Sequence, residues 1–195
     1  MCVWVWTTRV EKQAEMIRIA QAAVIALAVS APLGSSLADS SYAGQHTRAI
    51  KALSAEDIAG LINGEGLGMA KAAELNGYPG PKHVLTLADD LKLTEAQRRQ
   101  VRAIFDQMSA AARPLGMELI GRELLLDRLF AAGEVTPDRL AVETAAIGTL
   151  EGSLRSVHLT AHLQTRALLN VDQISLYNRL RGYDSLTAPH DHQHH

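Results

Sequence analysis

The segment that decides the fold begins Leu93-Thr94-Glu95-Ala96-Gln97 and runs to Gly133. Thr94 is predicted to cap a helix, with Gln97 closing a capping box and Gly133 ending the helix. A helix of this length extends about 55 Å, at about 1.5 Å per residue, so a second long helix is needed to cover its apolar face. That face is predicted from steps of three, four and seven residues, at Val101, Ile104, Phe105, Met108, Ala112, Leu115, Leu119, Leu126 and Leu129.

A second long helix is predicted after Thr136-Pro137, because threonine caps helices well and proline fits the first turn. Only three residues, from Gly133 to Val135, separate it from the first helix, so the two are expected to fold back as an antiparallel hairpin. The predicted fold is all-α: a long antiparallel helical hairpin with short flanking helices. The apolar seam of the second helix is expected at Ile147, Leu150, Leu154, Val157 and Ala161.

A second box, Leu169-Asn170-Val171-Asp172-Gln173, predicts a third helix start, with Asn170 as cap and Gln173 three residues later. All four box residues, Thr94, Gln97, Asn170 and Gln173, are interpreted as structural caps. Pro114 is the one local violation, because it removes a backbone donor inside the first long helix. It predicts a kink near residues 110–113 and a bent hairpin.

Composition and the N-terminal residues bear on the partners and the location of the protein. The 195 residues are 47% hydrophobic with a net charge of −2, which gives no reason to expect nucleic acid as a partner. Residues 1–38 are predicted to be a signal peptide, because Arg18 precedes the apolar run 19–29 and Ser36-Leu37-Ala38 fits a cleavage site. A membrane anchor is the alternative, but the run is short and rich in alanine. Met16 is a more ordinary start for such a signal, so residues 1–15 are interpreted as an extension ahead of it.

The mature chain is therefore expected to be secreted and to contain no cysteine, because Cys2 is the only one. This excludes a disulfide scaffold and a thiolate metal site. Residues 39–82 are predicted to be a flexible, glycine- and alanine-rich segment with short helices, one of them capped by Ser54. Residues 83–185 are assigned to the helical domain and residues 186–195 to a histidine-rich tail.

The two boxes around a long hairpin, behind a secretion signal, resemble the Spy/CpxP family of periplasmic stress proteins. The likeness covers roughly residues 83–183, and the lead-in Asn76-Gly77-Tyr78-Pro79-Gly80-Pro81 resembles a branch described as refolding chaperones or heavy-metal sensors. The second box departs from the family pattern by Asn170 in place of threonine, and asparagine caps equally well. The resemblance implies a cradle-shaped, antiparallel homodimer of the periplasm that works without ATP or a required cofactor. Its members bind unfolding proteins, bind divalent metals, or act on envelope-stress sensors such as a kinase or an anti-sigma system.

A surface for unfolded chains is predicted on the first long helix. From Leu93 onward every basic residue apart from histidine is an arginine. The planar guanidinium group is less strongly hydrated than the ammonium group of lysine and stacks on aromatic groups. Arginine interleaved with methionine and leucine suits a surface that accepts many partners. Ordinary surface ion pairs remain the alternative for any single arginine. The residues assigned to this surface are Arg98, Arg102, Arg113, Met117 and Arg122.

Two groups of histidines are candidate metal ligands. His158 and His162 are four residues apart on the second long helix and share one face, where they form half of a metal site. A polar flank with Glu151 and Arg155 is the alternative. The tail histidines lie beside a carboxylate, which suits zinc, copper or nickel; they are His190, His192, His194 and His195. A purification-tag remnant is the alternative for the tail, but Asp191 and Gln193 interrupt it.

The predicted function is that of an ATP-independent periplasmic folding chaperone for unfolded or misfolded proteins. The alternative is a periplasmic sensor or binding protein for zinc, copper or nickel. An enzyme is not predicted, because the chain has no Gly-x-Ser-x-Gly elbow and no His-Glu-x-x-His helix. A homodimer is expected, because Met117, Ile120, Leu124, Leu125 and Phe130 form a second apolar flank that one partner helix does not reach.

Overall fold

A computed structural model describes residues 41–183 of the chain. The chain divides between Ala43 and Gly44, and the fold considered below is that of the unit from Gly44 onward. The predicted signal peptide at 1–38 and the predicted histidine-rich tail at 186–195 lie outside the described residues.

The described unit is all-α, as predicted. A short 3-10 turn at Gln45–Thr47 precedes six α-helices among the described residues. The two longest helices pack against each other as the predicted hairpin, and only a few residues of chain connect them. The helices are α1 (Ala55–Asn63), α2 (Lys71–Glu74), α3 (Pro81–Thr86), α4 (Glu95–Ala131), α5 (Pro137–Leu168) and α6 (Val171–Leu180).

Local capping chemistry sets the helix boundaries where the sequence predicts them. Thr94 and Asn170 both form complete capping boxes with the glutamine three residues later. Thr136 caps α5 through its side chain, and Pro137 occupies the first turn. Gly133 adopts a φ of 69° just past the end of α4, a conformation that costs glycine little. Ser54 also forms a capping box, with Asp57, and the pKa of that carboxyl is lowered chiefly by its hydrogen bond from the Ser54 backbone.

Pro114 does not divide the first long helix, because α4 continues from Glu95 to Ala131. The proline has no N–H to offer the carbonyl of Ala110, one turn earlier. Both residues are exposed, so water can hydrate that carbonyl.

The segment before Leu93 packs on the hairpin, in contrast to the flexible segment predicted for residues 39–82. Leu61 of α1 is only 2% exposed and joins one core cluster with the hairpin. The approach is close because Gly116 of α4 has no side chain: a Cβ there would lie 2.4 Å from the Leu61 carbonyl oxygen. A glycine at this position carries no local sequence signature of a packing contact. The hairpin residues of this cluster are Ala112, Leu119, Ile147, Leu150 and Leu154.

A second core cluster lies at the end of the hairpin where the two boxes meet, which we call the box end (residues 84–101 with 166–177). Val84, Val101 and Tyr177 are fully buried there. Helix α3 starts at Pro81, whose fixed φ suits a first turn, and ends at Thr86. Lys92 then adopts a φ of 50°, which reverses the chain into α4.

The opposite end of the hairpin, which we call the tip end (residues 129–142), consists only of the last turn of α4, the connection and the first turns of α5. Most of its side chains are exposed, including Phe130 (57%) and Val142 (61%). Among residues 41–183, no helix combines the length and the apolar character that a membrane crossing requires.

Candidate functional site

The two capping boxes contact each other at the box end, which the sequence did not predict. The Gln97 side-chain amide donates to Gln173 Oε1 at 2.9 Å and to the Leu168 carbonyl at 2.8 Å. In return, the Gln173 amide donates to the Leu91 carbonyl and to Gln97 Oε1, both at 3.2 Å. Each glutamine oxygen also accepts the backbone N–H of its own N-cap residue. The glutamines therefore cap their own helices and join the two helix starts, which is a structural role.

Glu74 of α2 is the centre of a buried polar network at the same end. Its carboxylate accepts hydrogen bonds from the hydroxyl of Tyr177, from the hydroxyl of Tyr183 at 3.0 Å and from the backbone N–H of Gly80 at 3.1 Å. Arg181 lies 3.6 Å from the same carboxylate. Burial raises the pKa of Tyr177, and the hydrogen bond to Glu74 raises it further. This network connects the short α2 helix to α6 by hydrogen bonds, and no sequence motif predicts it.

His158 and His162 lie on one face of α5, and both are buried, at 3% and 8% exposure. Glu151 and Arg155 of the alternative polar flank are exposed, while the two histidines face the segment before Leu93. His162 Nδ1 lies 2.7 Å from the Tyr78 carbonyl and 3.6 Å from Glu74 Oε2. His158 Nε2 is buried and finds no hydrogen-bond partner in the described part of the chain.

Both histidines line a cavity of about 380 Å³ between the segment before Leu93 and the hairpin. His83 of α3 lines it as well, so three histidines from two helices meet at one space. Burial lowers the pKa of His158, with a smaller contribution from His162. Burial also lowers the pKa of His83, with help from the Arg181 charge. Both shifts favour the uncharged form of the imidazole.

Residues 41–183 contain no preformed metal site. Within residues 41–183, no three histidine, cysteine, aspartate or glutamate side chains are grouped so that they could hold one metal ion. His158 and His162 remain a pair, as the sequence suggested. The tail residues His190, His192, His194 and His195 lie outside the described residues.

The residues assigned to the unfolded-chain surface divide into two sets. Arg98, Arg102, Arg113 and Met117 follow spacings of 4, 11 and 4 residues, which place them on one stripe of α4. Arg122 lies five residues after Met117, roughly 140° around the helix. Its guanidinium pairs with Glu143 of α5 at 3.2 Å, so it belongs to the hairpin interface. Arg122 therefore differs from the other predicted surface residues, because its guanidinium is engaged in an interhelical ion pair while its side chain stays 38% exposed.

The four residues on the common stripe, which we call the arginine stripe, differ in their availability. Arg98 is engaged with Asp89 at 2.6 Å and lies near Glu95. Arg102 lies over the ring of Phe105, 5.9 Å from its centroid. Arg113 donates only to the Asn63 carbonyl, and Met117 is 57% exposed. The open part of the stripe is therefore Arg102, Arg113 and Met117.

Comparisons with protein-family models, with curated proteins and with solved structures found no match to this chain.

Proposed function

We propose that the protein is an ATP-independent chaperone of the periplasm that holds unfolded or misfolded chains, in the manner of the Spy/CpxP family. The observation that carries this proposal is the open part of the arginine stripe. A methionine with more than half of its surface in water follows two arginines there on a 37-residue helix. Half-buried Ile120 and Leu124 continue the same face of the helix.

This surface suits extended, unrelated chains for chemical reasons. Methionine is unbranched and adapts its shape to different apolar partners. The guanidinium group of arginine stacks on aromatic rings and also pairs with carboxylates. A surface with both groups gains contact with most exposed segments of an unfolded protein and requires none of them in particular.

The test is suppression of aggregation, measured by light scattering of several unfolding client proteins with stoichiometric purified protein. Met117→Asp should reduce the suppression, because it places a charge in the apolar part of the stripe. Val142→Asp is the matched control, since Val142 is equally exposed but lies at the tip end of α5. Unchanged scattering across all clients with the natural protein, or an equal loss in both variants, would refute the proposal.

The same proposal includes a homodimer. Leu125 is 40% exposed and Phe130 57% exposed, so part of the second apolar flank of α4 is open to a second copy. Burial of such surface favours association at about 25 cal/mol per Å² before the entropic cost. Sedimentation equilibrium should give twice the chain mass at micromolar concentration. A persistent monomer that binds no hydrophobic dye would mean that the segment before Leu93 covers the hairpin sufficiently.

Metal binding is the second candidate function, and the histidine tail favours it. Four histidines within six residues, next to Asp191, offer imidazole ligands to zinc, copper or nickel. Calorimetry with each metal should detect binding, and truncation after Ala188 should remove it. Binding that survives the truncation would instead assign the metal to His158 and His162, and would favour a sensing role of the folded unit. An envelope-stress kinase or an anti-sigma system is then the proposed partner.

A further inference from the structure

The cavity of about 380 Å³ is built from four parts of the chain. The glycine-rich connection 64–68 and the start of α2 form one wall, and the start of α3 forms another. Helix α4 contributes Phe105 and Met108, and α5 contributes His158 and His162. The volume falls within the range of about 300–1,000 Å³ that small-molecule pockets occupy.

Glycines bring the connection close to the histidine rings. A Cβ on Gly66 would lie 3.3 Å from His158 Nδ1, and a Cβ on Gly80 would lie 2.8 Å from His162 Cε1. The backbone at these two glycines therefore packs closely against the two imidazole rings. Any larger residue at Gly80 would displace the ring of His162.

The charged groups around the cavity leave an excess of positive charge. Glu65 is paired with Lys82 at 3.3 Å, and Glu74 is occupied by two tyrosine hydroxyls, a backbone N–H and Arg181. Lys71 and Arg113 also line the cavity, and within residues 41–183 neither forms an ion pair. Two cationic side chains are thus available to an anion.

The remaining walls are apolar or uncharged. Phe105 and Met108 present an aromatic ring and a thioether on the α4 side. His158 is only 3% exposed, and its Nε2 has no hydrogen-bond partner within residues 41–183. The cavity is thus lined by two cationic side chains, an aromatic ring and an imidazole nitrogen without a partner among the described residues. Such a lining suits a ligand that has one anionic group and one flat apolar body.

We propose that this cavity binds a small aromatic carboxylate, with the carboxylate at Lys71 and Arg113 and the ring against Phe105 and Met108. This site shares Arg113 with the arginine stripe, but the proposal does not rest on the chaperone function. It requires neither the open apolar part of the arginine stripe nor a second copy of the chain.

Benzoate is the probe, with benzamide as its neutral counterpart and acetate as an anion without a ring. Titrations are followed by calorimetry and by the amide chemical shifts of the purified chain. Benzoate should bind saturably and shift the amides of residues 64–68 and of Phe105. Both benzamide and acetate should bind at least about tenfold more weakly, which corresponds to the loss of one charge-assisted hydrogen bond or of the ring contact.

Lys71→Gln should weaken benzoate binding about tenfold, the effect of removing one charged hydrogen-bond partner. Lys92→Gln is the matched control, because Lys92 is also exposed but lies outside the cavity, and it should bind benzoate as the natural chain does. Arg113→Gln repeats the test from the α4 side, should Lys71→Gln disturb α2. No saturable binding of benzoate, equal affinity for benzamide, shifts away from the cavity, or equal loss in the lysine variant and its control would each overturn the proposal. Because Lys71 is not part of the arginine stripe, suppression of aggregation by Lys71→Gln reports on the chaperone proposal separately.

Discussion

The two ends of the hairpin are made from the same two helices but differ in what holds them together. At the box end, α3 and α6 pack beside α4 and α5, and Val84, Val101 and Tyr177 reach complete burial. At the tip end most side chains are exposed, and Phe130 remains 57% exposed. The comparison teaches that a helical hairpin gains its stability where third and fourth elements contribute side chains, because two helices alone leave their outer faces in water.

The polar groups follow the same division. The box end buries the glutamine pair and the Glu74 network, and each of these groups has its hydrogen bonds satisfied within the protein. Such satisfied networks specify one arrangement of the elements that they join. At the tip end, the ion pair of Arg139 with Glu134 at 3.6 Å is exposed on both sides, and exposed pairs contribute little.

The largest expected difference between the ends comes from truncating one aromatic residue at each. Tyr177→Ala should lower the free energy of unfolding by about 3–5 kcal/mol, because it opens a cavity in a closed core. Phe130→Ala should change it by only about 0.5 kcal/mol, because its ring is mostly in water already. Urea unfolding measures both. Similar losses at the two ends would contradict the division, and Tyr177→Phe separates the hydroxyl's contribution from that of the ring.

Two glycines of α4 test how firmly the segment before Leu93 is packed between these ends. Gly116→Ala should destabilise the protein by about 1–3 kcal/mol, because its Cβ would collide with the Leu61 carbonyl and push α1 outward. Gly121→Ala meets nothing within 4 Å and should stabilise by about 0.5–1 kcal/mol, the helix preference of alanine over glycine. Thermal and urea unfolding of both variants provide the comparison. Stabilisation by both substitutions would show that α1 is only loosely attached.

A double-mutant cycle on the glutamine pair sharpens the description of the box end. Gln97→Ala and Gln173→Ala should each cost about 1–2 kcal/mol, because each leaves backbone groups without partners. The double variant should be less destabilised than the sum by about 0.5 kcal/mol or more, because the amides bind each other. Additive losses would mean that the two boxes act as independent caps.

The smallest expected effect is a pH dependence of the free energy of unfolding. It arises from His158, which lies in the half of the hairpin nearer the box end. Burial holds the pKa of His158 below its ordinary 6.5, so the folded protein keeps it neutral while the unfolded chain takes up a proton. The resulting stabilisation is complete above about pH 6.5 and is lost as the pH falls below it, with a slope of at most about 1.4 kcal/mol per pH unit for one proton. His158→Gln should flatten this part of the pH profile in urea unfolding. A slope that the substitution leaves unchanged would assign the effect to other groups, of which His83 is the first to test because its pKa is also lowered.

Much of the hairpin could be predicted because its boundaries depend on neighbouring residues. Thr94 with Gln97, and Asn170 with Gln173, satisfy backbone groups within three residues, so their pattern is visible in the sequence. The candidate site could be predicted only in part. His158 and His162 share a face because they are four residues apart, but their burial depends on a segment about 80–90 residues earlier.

The sequence by itself determined the helices: their caps, their ends at Gly133 and Gly182, and the antiparallel return that a short connection requires. These features depend on backbone hydrogen bonds and dihedral preferences, which act over one turn of chain. Only the tertiary structure decided which faces became surface and which became core. Tyr177 donates to Glu74 across 103 residues, Arg122 pairs with Glu143 of the other long helix, and α1 packs against Gly116. Such contacts arise from shape and charge complementarity between distant elements, for which no local sequence pattern exists.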